Sequence, residues 1–239
     1  MNALRTERVV FMLSQEAQQA LITWEAAGSR IIIASFRTKM RKKALNVVQC
    51  YGPTNDKDEE VKDQFYNRPQ SILDKLKVKD MTIFMEDPNA KIGADNCGYK
   101  EVMGRHGLGE MNKNGEMFAD LCASNRLVIG SSVFTYRRIH KATWISPDRR
   151  SEIDQIDRVC IGQMFRRSLL DVRVYRGADA ASDHHLVLAK IKMKLERVWV
   201  TRSTRPCCNV GFSKDRDVLD RFNRYQVLQN LLEDESTDP

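Results

Sequence analysis

A short, uniformly apolar segment, residues 81–85 (MTIFM), constrains the fold more than any other feature of the sequence. Charged residues border it on both sides, and such a segment is typical of a strand that is buried on both faces. Other strand-like segments, which alternate or are rich in β-branched residues, occur at 30–38, 44–51, 170–175 and 186–195. The sequence therefore predicts a sheet with a buried central strand.

Helical segments lie between these strands. Residues 56–76 and 114–124 carry apolar residues at helical spacing, and Pro69 is expected to kink or split the first of these helices. Strands that alternate with helices and are followed by more strands predict a mixed α/β protein. We expect this domain to span residues 1–200, and residues 201–239 to form a linker around Pro206 and a C-terminal helix over 215–232.

Composition excludes several classes of protein. The chain has 39 Lys and Arg against 32 Asp and Glu, a net charge of +7. It has no apolar run approaching the ~18 residues of a membrane span. The six cysteines include no CxxC pair, so neither a zinc module nor a disulfide framework is indicated. These features predict a soluble, intracellular protein whose positive charge suits contact with polyanions.

Two predicted strands end in residues that could serve a reaction centre. Asp87 and Asn89 follow residues 81–85, so both can point into a crevice at the end of that strand. Tyr51 and Asn55 place a hydroxyl and an amide where the strand over 44–51 gives way to a helix. Each pair also has a purely structural interpretation, because Asx side chains cap turns and helix starts.

Two more clusters lie in the C-terminal half. Asp157 sits in an apolar segment after the Thr143-Trp144 pair, so it either lies on a strand surface or has a partner, because a buried unpaired carboxylate is costly. The Ser182-Asp183-His184 triplet opens the strand over 186–195. Asp beside His can fix the imidazole tautomer, although a polar strand start is the simpler alternative.

In this order, the clusters resemble the motifs of the endonuclease/exonuclease/phosphatase superfamily, which includes the DNase-I-like nucleases. They are closer still to the endonuclease domain of RTE-type non-LTR retrotransposons. The resemblance runs over residues 9–200 and is carried by the segments QCYGPTND, DPNAKIG, RIHKATWISPD and SDHHLVLAK.

The resemblance implies an α/β four-layer sandwich of two mixed β-sheets flanked by helices. It implies a nuclear protein that hydrolyses phosphodiester bonds in DNA with a divalent cation, expected to be Mg²⁺. By motif, Asp87 orients the attacking water, Asn89 and Tyr51 contact the phosphate, and His184 binds a phosphoryl oxygen. Asp183 is a weak metal ligand or a partner of the imidazole. The supporting residues are Asn55, Trp144, Asp157 and Ser182. The expected contacts to the DNA backbone are Arg37, Lys39, Arg41, Arg137, Arg138 and Lys141.

The sequence also departs from the family pattern. The family's principal metal ligand is a glutamate that ends an early strand. Glu16 lies in the wrong place for that role, so we expect a chain that lacks the first strands and binds metal poorly. Glu86 stands where the family has a glycine, beside Asp87. Three alternatives follow: an active nuclease, a non-catalytic protein that binds DNA or chromatin, or a poorly folding retrotransposon remnant. The departures favour little or no activity.

Overall fold

The computed structural model describes residues 9–40, 42–54, 56–145, 153–176 and 184–196. Several predicted features therefore lie outside the described residues, namely Arg41, Asn55, Ser182, Asp183 and the linker and helix of residues 201–239. The α-helices are α1 (Gln15–Ala20), α2 (Glu59–Leu73) and α3 (Lys113–Ser124). The strands are β1 (Leu21–Ala26), β2 (Ile31–Arg37), β3 (Ala44–Tyr51), β4 (Met81–Asp87), β5 (Leu127–Ile129), β6 (Trp144–Ile145), β7 (Ile153–Asp154), β8 (Arg158–Gly162), β9 (Leu169–Tyr175) and β10 (Leu186–Ile191). Short 3-10 helices span Gly130–Ser132, Arg138–His140 and Gln163–Ser168.

A six-stranded mixed sheet forms the centre of the molecule, in the order β1-β2-β3-β4-β8-β5. β3 and β4 are parallel, and the other neighbouring pairs in this sheet are antiparallel. β9 and β10 form a second, antiparallel sheet, and β6 pairs with β7 in a separate antiparallel ribbon. The predicted α/β class is confirmed. Of the two sheets predicted to be mixed, the central one is mixed, whereas the second is antiparallel in the described residues.

The central sheet has an apolar core on each face. In β4, Phe84 points towards α2 and α3, where it packs in one cluster with Phe65 and Phe118. Met81 and Ile83 of the same strand point to the other face of the sheet, where they belong to a second cluster with residues of β9 and β10. The alternation of side chains along a strand explains this division. As residues 81–85 predicted, β4 is buried on both faces.

Local predictions were accurate for several elements and partly wrong for α2. β3 spans the predicted residues, and α3 differs from its prediction by one residue at its start. α2 is one helix that passes through a buried Pro69, so the proline does not split it. Its N-cap is Asp58, beyond the predicted start near residue 56. None of the helices in the described ranges has the length and apolar character needed to cross a membrane.

Candidate active site

The candidate site begins at the edge of the central sheet where the parallel strands β3 and β4 both end. Tyr51 is the last residue of β3, and Asp87 is the last residue of β4. The two are directly opposite in the parallel register, and both are partly exposed. Because crevices outside the carboxyl ends of parallel strands are the usual binding places in α/β sheets, this edge is the natural location for a reaction centre.

The loop after β4 is held in a tight turn. Asn89 has a positive φ of 50°, and its backbone N–H donates to Oδ1 of Asp87 at 3.3 Å. The capping interpretation of Asp87 is therefore correct for Oδ1, while Oδ2 faces the site. Asn114 is buried and donates from Nδ2 to the carbonyl oxygens of Pro53 and Pro88, each at 3.0 Å. This single amide ties the loops that follow β3 and β4 to each other.

Asp157 is positioned by the hydroxyl of a buried threonine. Oγ1 of Thr143 accepts hydrogen bonds from the backbone N–H groups of Ile156, at 2.9 Å, and Asp157, at 3.1 Å. Thr143 is 1% exposed, and its own N–H donates to the carbonyl of Asp154 at 2.8 Å. Sequence reasoning chose Trp144 as the supporting residue of this motif and missed Thr143. The sequence feature that could have indicated Thr143 is its hydroxyl group, which stands between the apolar residues Ala142 and Trp144.

His184 completes the cluster. Its Nδ1 lies 3.1 Å from Oδ2 of Asp157, and its Nε2 lies 3.9 Å from Oδ2 of Asp87. An antiparallel bridge between His184 and Trp144 fixes the backbone beside the imidazole. The structure therefore brings Asp87, Asp157 and His184 together from three separate parts of the chain. A carboxylate on Nδ1 orients the ring and stabilises the imidazolium, which leaves Nε2 as a donor towards an anion.

The same three side chains could hold a divalent cation. One carboxylate oxygen from each aspartate and one ring nitrogen of His184 all lie within 4.8 Å of one another. Carboxylate oxygens are preferred by Mg²⁺ and Mn²⁺, and imidazole is accepted by the transition metals. The donor set therefore fits a divalent cation. Asp183, the ligand expected from the sequence, lies outside the described residues. Glu16 is exposed in the first turn of α1.

A cavity of about 340 Å³ adjoins the cluster. Nζ of Lys91 lies 2.9 Å from Oδ2 of Asp154, which joins the loop after β4 to the β6–β7 ribbon. Asn89 and Trp144 line the cavity together with this ion pair. The cavity lining thus combines an aromatic surface with amide and charged groups.

Behind the site, two buried ionisable groups, Glu86 and Arg158, occupy the helix-facing side of the central sheet. Burial, and to a smaller extent the neighbouring Asp87, raises the pKa of Glu86 well above its usual range. Neither carboxylate oxygen of Glu86 has a hydrogen-bond partner among the described residues. Burial lowers the pKa of Arg158 to about 10. Its guanidinium donates to Oγ of Ser131 and to the carbonyls of Ala90 and Gln155.

The basic residues predicted to contact DNA are dispersed. Arg37 and Lys39 are exposed at the opposite end of the central sheet from Asp87, about 20 Å away along β3. Arg137 and Arg138 are exposed at the 3-10 helix that precedes Thr143. Lys141 is instead buried, and burial lowers its pKa. The structure thus leaves Arg137 and Arg138 as the predicted basic residues that are both exposed and close in sequence to the site.

Comparison with known proteins identifies relatives in sequence and in fold. No protein-family model matches the chain. Craniofacial development protein 2 of Tragulus javanicus is 33% identical over 205 residues, which cover 86% of this chain and 34% of that protein. The protein of the same name from Bos taurus is also 33% identical over 205 residues, covering 86% of this chain and 33% of that protein. The chain therefore spans about a third of the length of these curated relatives.

Among solved structures, an AP endonuclease from Archaeoglobus fulgidus superposes with a TM-score of 0.51 at 13% identity, covering 71% of this chain and 68% of that chain.

Proposed function

From two premises, its DNase-I-like fold and its sequence similarity to craniofacial development protein 2, we propose a function for this chain. The fold is that of the endonuclease/exonuclease/phosphatase proteins. The proposed function is the hydrolysis of phosphodiester bonds in DNA with a divalent cation. The observation that carries the proposal is the convergence of Asp87, Asp157 and His184 at one sheet edge. We further propose a retrotransposon endonuclease as its ancestor, low activity in this copy, and action in the nucleus.

Each of the three side chains has a role that its position supports. Asp87, with Oδ2 facing the site, accepts a hydrogen bond from the attacking water and orients it. Asp157 holds the imidazole of His184 through Nδ1, so that the Nε2–H donates to a phosphoryl oxygen whose negative charge grows in the transition state. Tyr51 and Asn89 line the approach of the phosphate. A divalent cation bound by the aspartates supplies Lewis-acid stabilisation of the same charge.

Low activity is proposed because the site differs from the family motif at Glu86. A glycine in the motif leaves room and adds no charge, whereas Glu86 is a buried carboxyl group directly before Asp87. Its proposed effect is steric, because burial raises the pKa of Glu86 and keeps it uncharged, while its side chain fills space beside Asp87 that a glycine would leave open. The same feature favours a second candidate function, a protein that binds DNA without cleaving it.

Nicking of supercoiled plasmid by the purified chain, with Mg²⁺ or Mn²⁺ at several concentrations, tests the first function. We expect slow nicking that EDTA abolishes and that His184→Ala lowers by about 10²–10⁴-fold, the contribution of a positioned proton donor. His140→Ala is the matched control, because this histidine does not belong to the cluster of Asp87, Asp157 and His184. Nicking that persists in His184→Ala would exclude the proposed site as its source.

DNA binding by the same preparations separates the two candidates. Binding that weakens steeply with salt, and that is unchanged by EDTA or by His184→Ala, would support the non-catalytic function if no nicking occurs at any metal concentration. Absence of both nicking and salt-sensitive binding would reject both functions.

A further inference from the structure

A second cavity, of about 450 Å³, lies at the end of the central sheet opposite to the candidate active site. It opens between the C-terminal ends of α2 and α3, the start of β4 and the turn that follows β8. Leu73, Leu127 and Phe165 contribute apolar surface to it and are themselves 2–8% exposed. The proposed hydrolysis uses none of these residues.

The rim of this cavity exposes large apolar side chains to solvent. Val78 is 76% exposed and Met164 is 68% exposed, and both line the opening. Lys77 and Arg126 also line it, and neither has an ion-pair partner in the part of the chain that the structure describes. Asp74 and Asp80 line the cavity as well, so the rim carries both signs of charge around the apolar surface. A concave apolar surface with a mixed charged rim fits an amphipathic helix.

The described chain ends next to this cavity. Leu195 forms a bridge with Thr38, and the backbone N–H of Glu196 donates to the carbonyl of Arg37 at 3.0 Å. Thr38 in turn donates from Oγ1 to the carbonyl of Lys43 at 2.8 Å, and Nζ of Lys43 lies 5.0 Å from the ring centroid of Phe165, a residue that lines the cavity. The segment after residue 196 therefore starts beside the groove.

The sequence supplies an occupant with the required chemistry. Residues 215–232 place apolar side chains at helical spacing, at Val218, Leu219, Phe222, Tyr225, Leu228, Leu231 and Leu232. Glu233, Asp234 and Glu235 follow directly, so one end of the segment is acidic. About 20 residues separate it from Glu196, enough to span up to ~65 Å when extended, so reach is not limiting.

We infer that residues 215–232 dock in this cavity as an amphipathic helix of the same molecule, with their acidic end against Lys77 and Arg126. Docking covers Val78 and Met164 and closes the sheet end that the rest of the described chain leaves open. The inference does not depend on any nuclease activity.

Hydrogen exchange of the full-length chain, followed by mass spectrometry of peptides, tests the docking. We expect amides in 215–232 to exchange at least about tenfold more slowly than those in 201–211, because docked helices are protected in proportion to their local stability. Val78→Asp and Met164→Asp, at side chains too exposed to support the core, should each remove that protection. Leu170→Asp is the matched control, since Leu170 is 46% exposed on β9 and lies outside the cavity.

Three outcomes would overturn the inference. The first is rapid exchange throughout 215–232 in the unsubstituted chain. The second is protection that Val78→Asp and Met164→Asp leave unchanged while each variant keeps a cooperative thermal transition. The third is protection that falls on tenfold dilution, which would assign the segment to a second copy of the chain. Carbodiimide coupling of Lys77 to Glu233, Asp234 or Glu235 within a monomer, lost in Met164→Asp, would support it further.

Discussion

Replacing Glu86 with glutamine should stabilise the protein at neutral and alkaline pH. Glu86 is 2% exposed, and both of its carboxylate oxygens lack a hydrogen-bond partner among the described residues. Burial raises the pKa of this carboxyl group well above the ordinary value of 4.5. The folded chain therefore keeps a proton that the unfolded chain releases.

The sign of the pH dependence follows from that difference. Below about pH 4.5 the carboxyl group is protonated in both states, and it costs no ionisation free energy. As the pH rises above this value, the unfolded chain binds fewer protons than the folded chain, so stability falls until the folded-state pKa is reached. Glutamine has nearly the same shape and no charge, so it removes this loss and leaves no new cavity.

The expected gain comes from ionisation, because a glutamine amide would be as buried and unpartnered as the carboxyl group. Each unit of pKa difference between the folded and unfolded states is worth about 1.4 kcal/mol. We therefore expect Glu86→Gln to gain about 2 kcal/mol or more at pH 8, and close to nothing at pH 4.5. For a domain of this size, a gain of 2 kcal/mol corresponds to a rise of about 4–8 °C in Tm.

Urea unfolding and calorimetry at pH 4.5, 6 and 8 would measure the effect. Glu110→Gln provides the control, because Glu110 is exposed and its replacement should alter stability little at any pH. A gain that is equal at all three pH values, or a loss that grows with pH, would refute the reasoning. Either result would mean that Glu86 is ionised and compensated in the folded protein.

Three further predictions concern positioning, packing and DNA contact. Thr143→Val removes the acceptor of the Asp157 N–H and should lower the free energy of unfolding, measured with urea, by about 1–3 kcal/mol. In the plasmid assay it should also reduce nicking under conditions where the variant is still fully folded. Gly107→Ala should prevent the loop from closing, since a Cβ there would lie 1.8 Å from the carbonyl oxygen of Gly93, and circular dichroism should show a strongly lowered Tm. Arg138→Gln should reduce the slope of log K against log salt for DNA binding by about 1, and an unchanged slope would remove this residue from the interface.

Three of the six strands of the central sheet, β2, β3 and β4, were predicted from the sequence, because each is buried on at least one face. β3 and β4 carry continuous or alternating apolar residues, which is the pattern that strand prediction uses. β1 lacks this pattern, since five of its six residues are exposed, including Trp24 at 48%. Its strand conformation comes from antiparallel pairing with β2 across a short turn, which the residues of β1 alone do not reveal.

The three side chains that the structure brings together were all candidates in the sequence. Asp87 follows an apolar segment, Asp157 lies within one, and His184 precedes one. The sequence offered Asp183 as a partner of the imidazole and left the partner of Asp157 open. The structure gives Asp157 that partner, because its Oδ2 lies 3.1 Å from Nδ1 of His184, 27 residues later. Asp183 lies outside the described residues, so its pairing stays a prediction. The hydrogen bonds of Thr143 also depend on tertiary structure.

The parallel pairing of β3 with β4 has a consequence for how the site arises during folding. Asp87 meets Tyr51 only after the chain has passed through α2 and returned to the same sheet edge, and Asp157 and His184 are separated from them by many more residues. Closing such loops costs entropy before the contacts can compensate for it, and topologies of this kind nucleate slowly. Assembly of the site therefore requires the same long-range step that pairs β3 with β4, because Tyr51 and Asp87 are opposite each other in that pair.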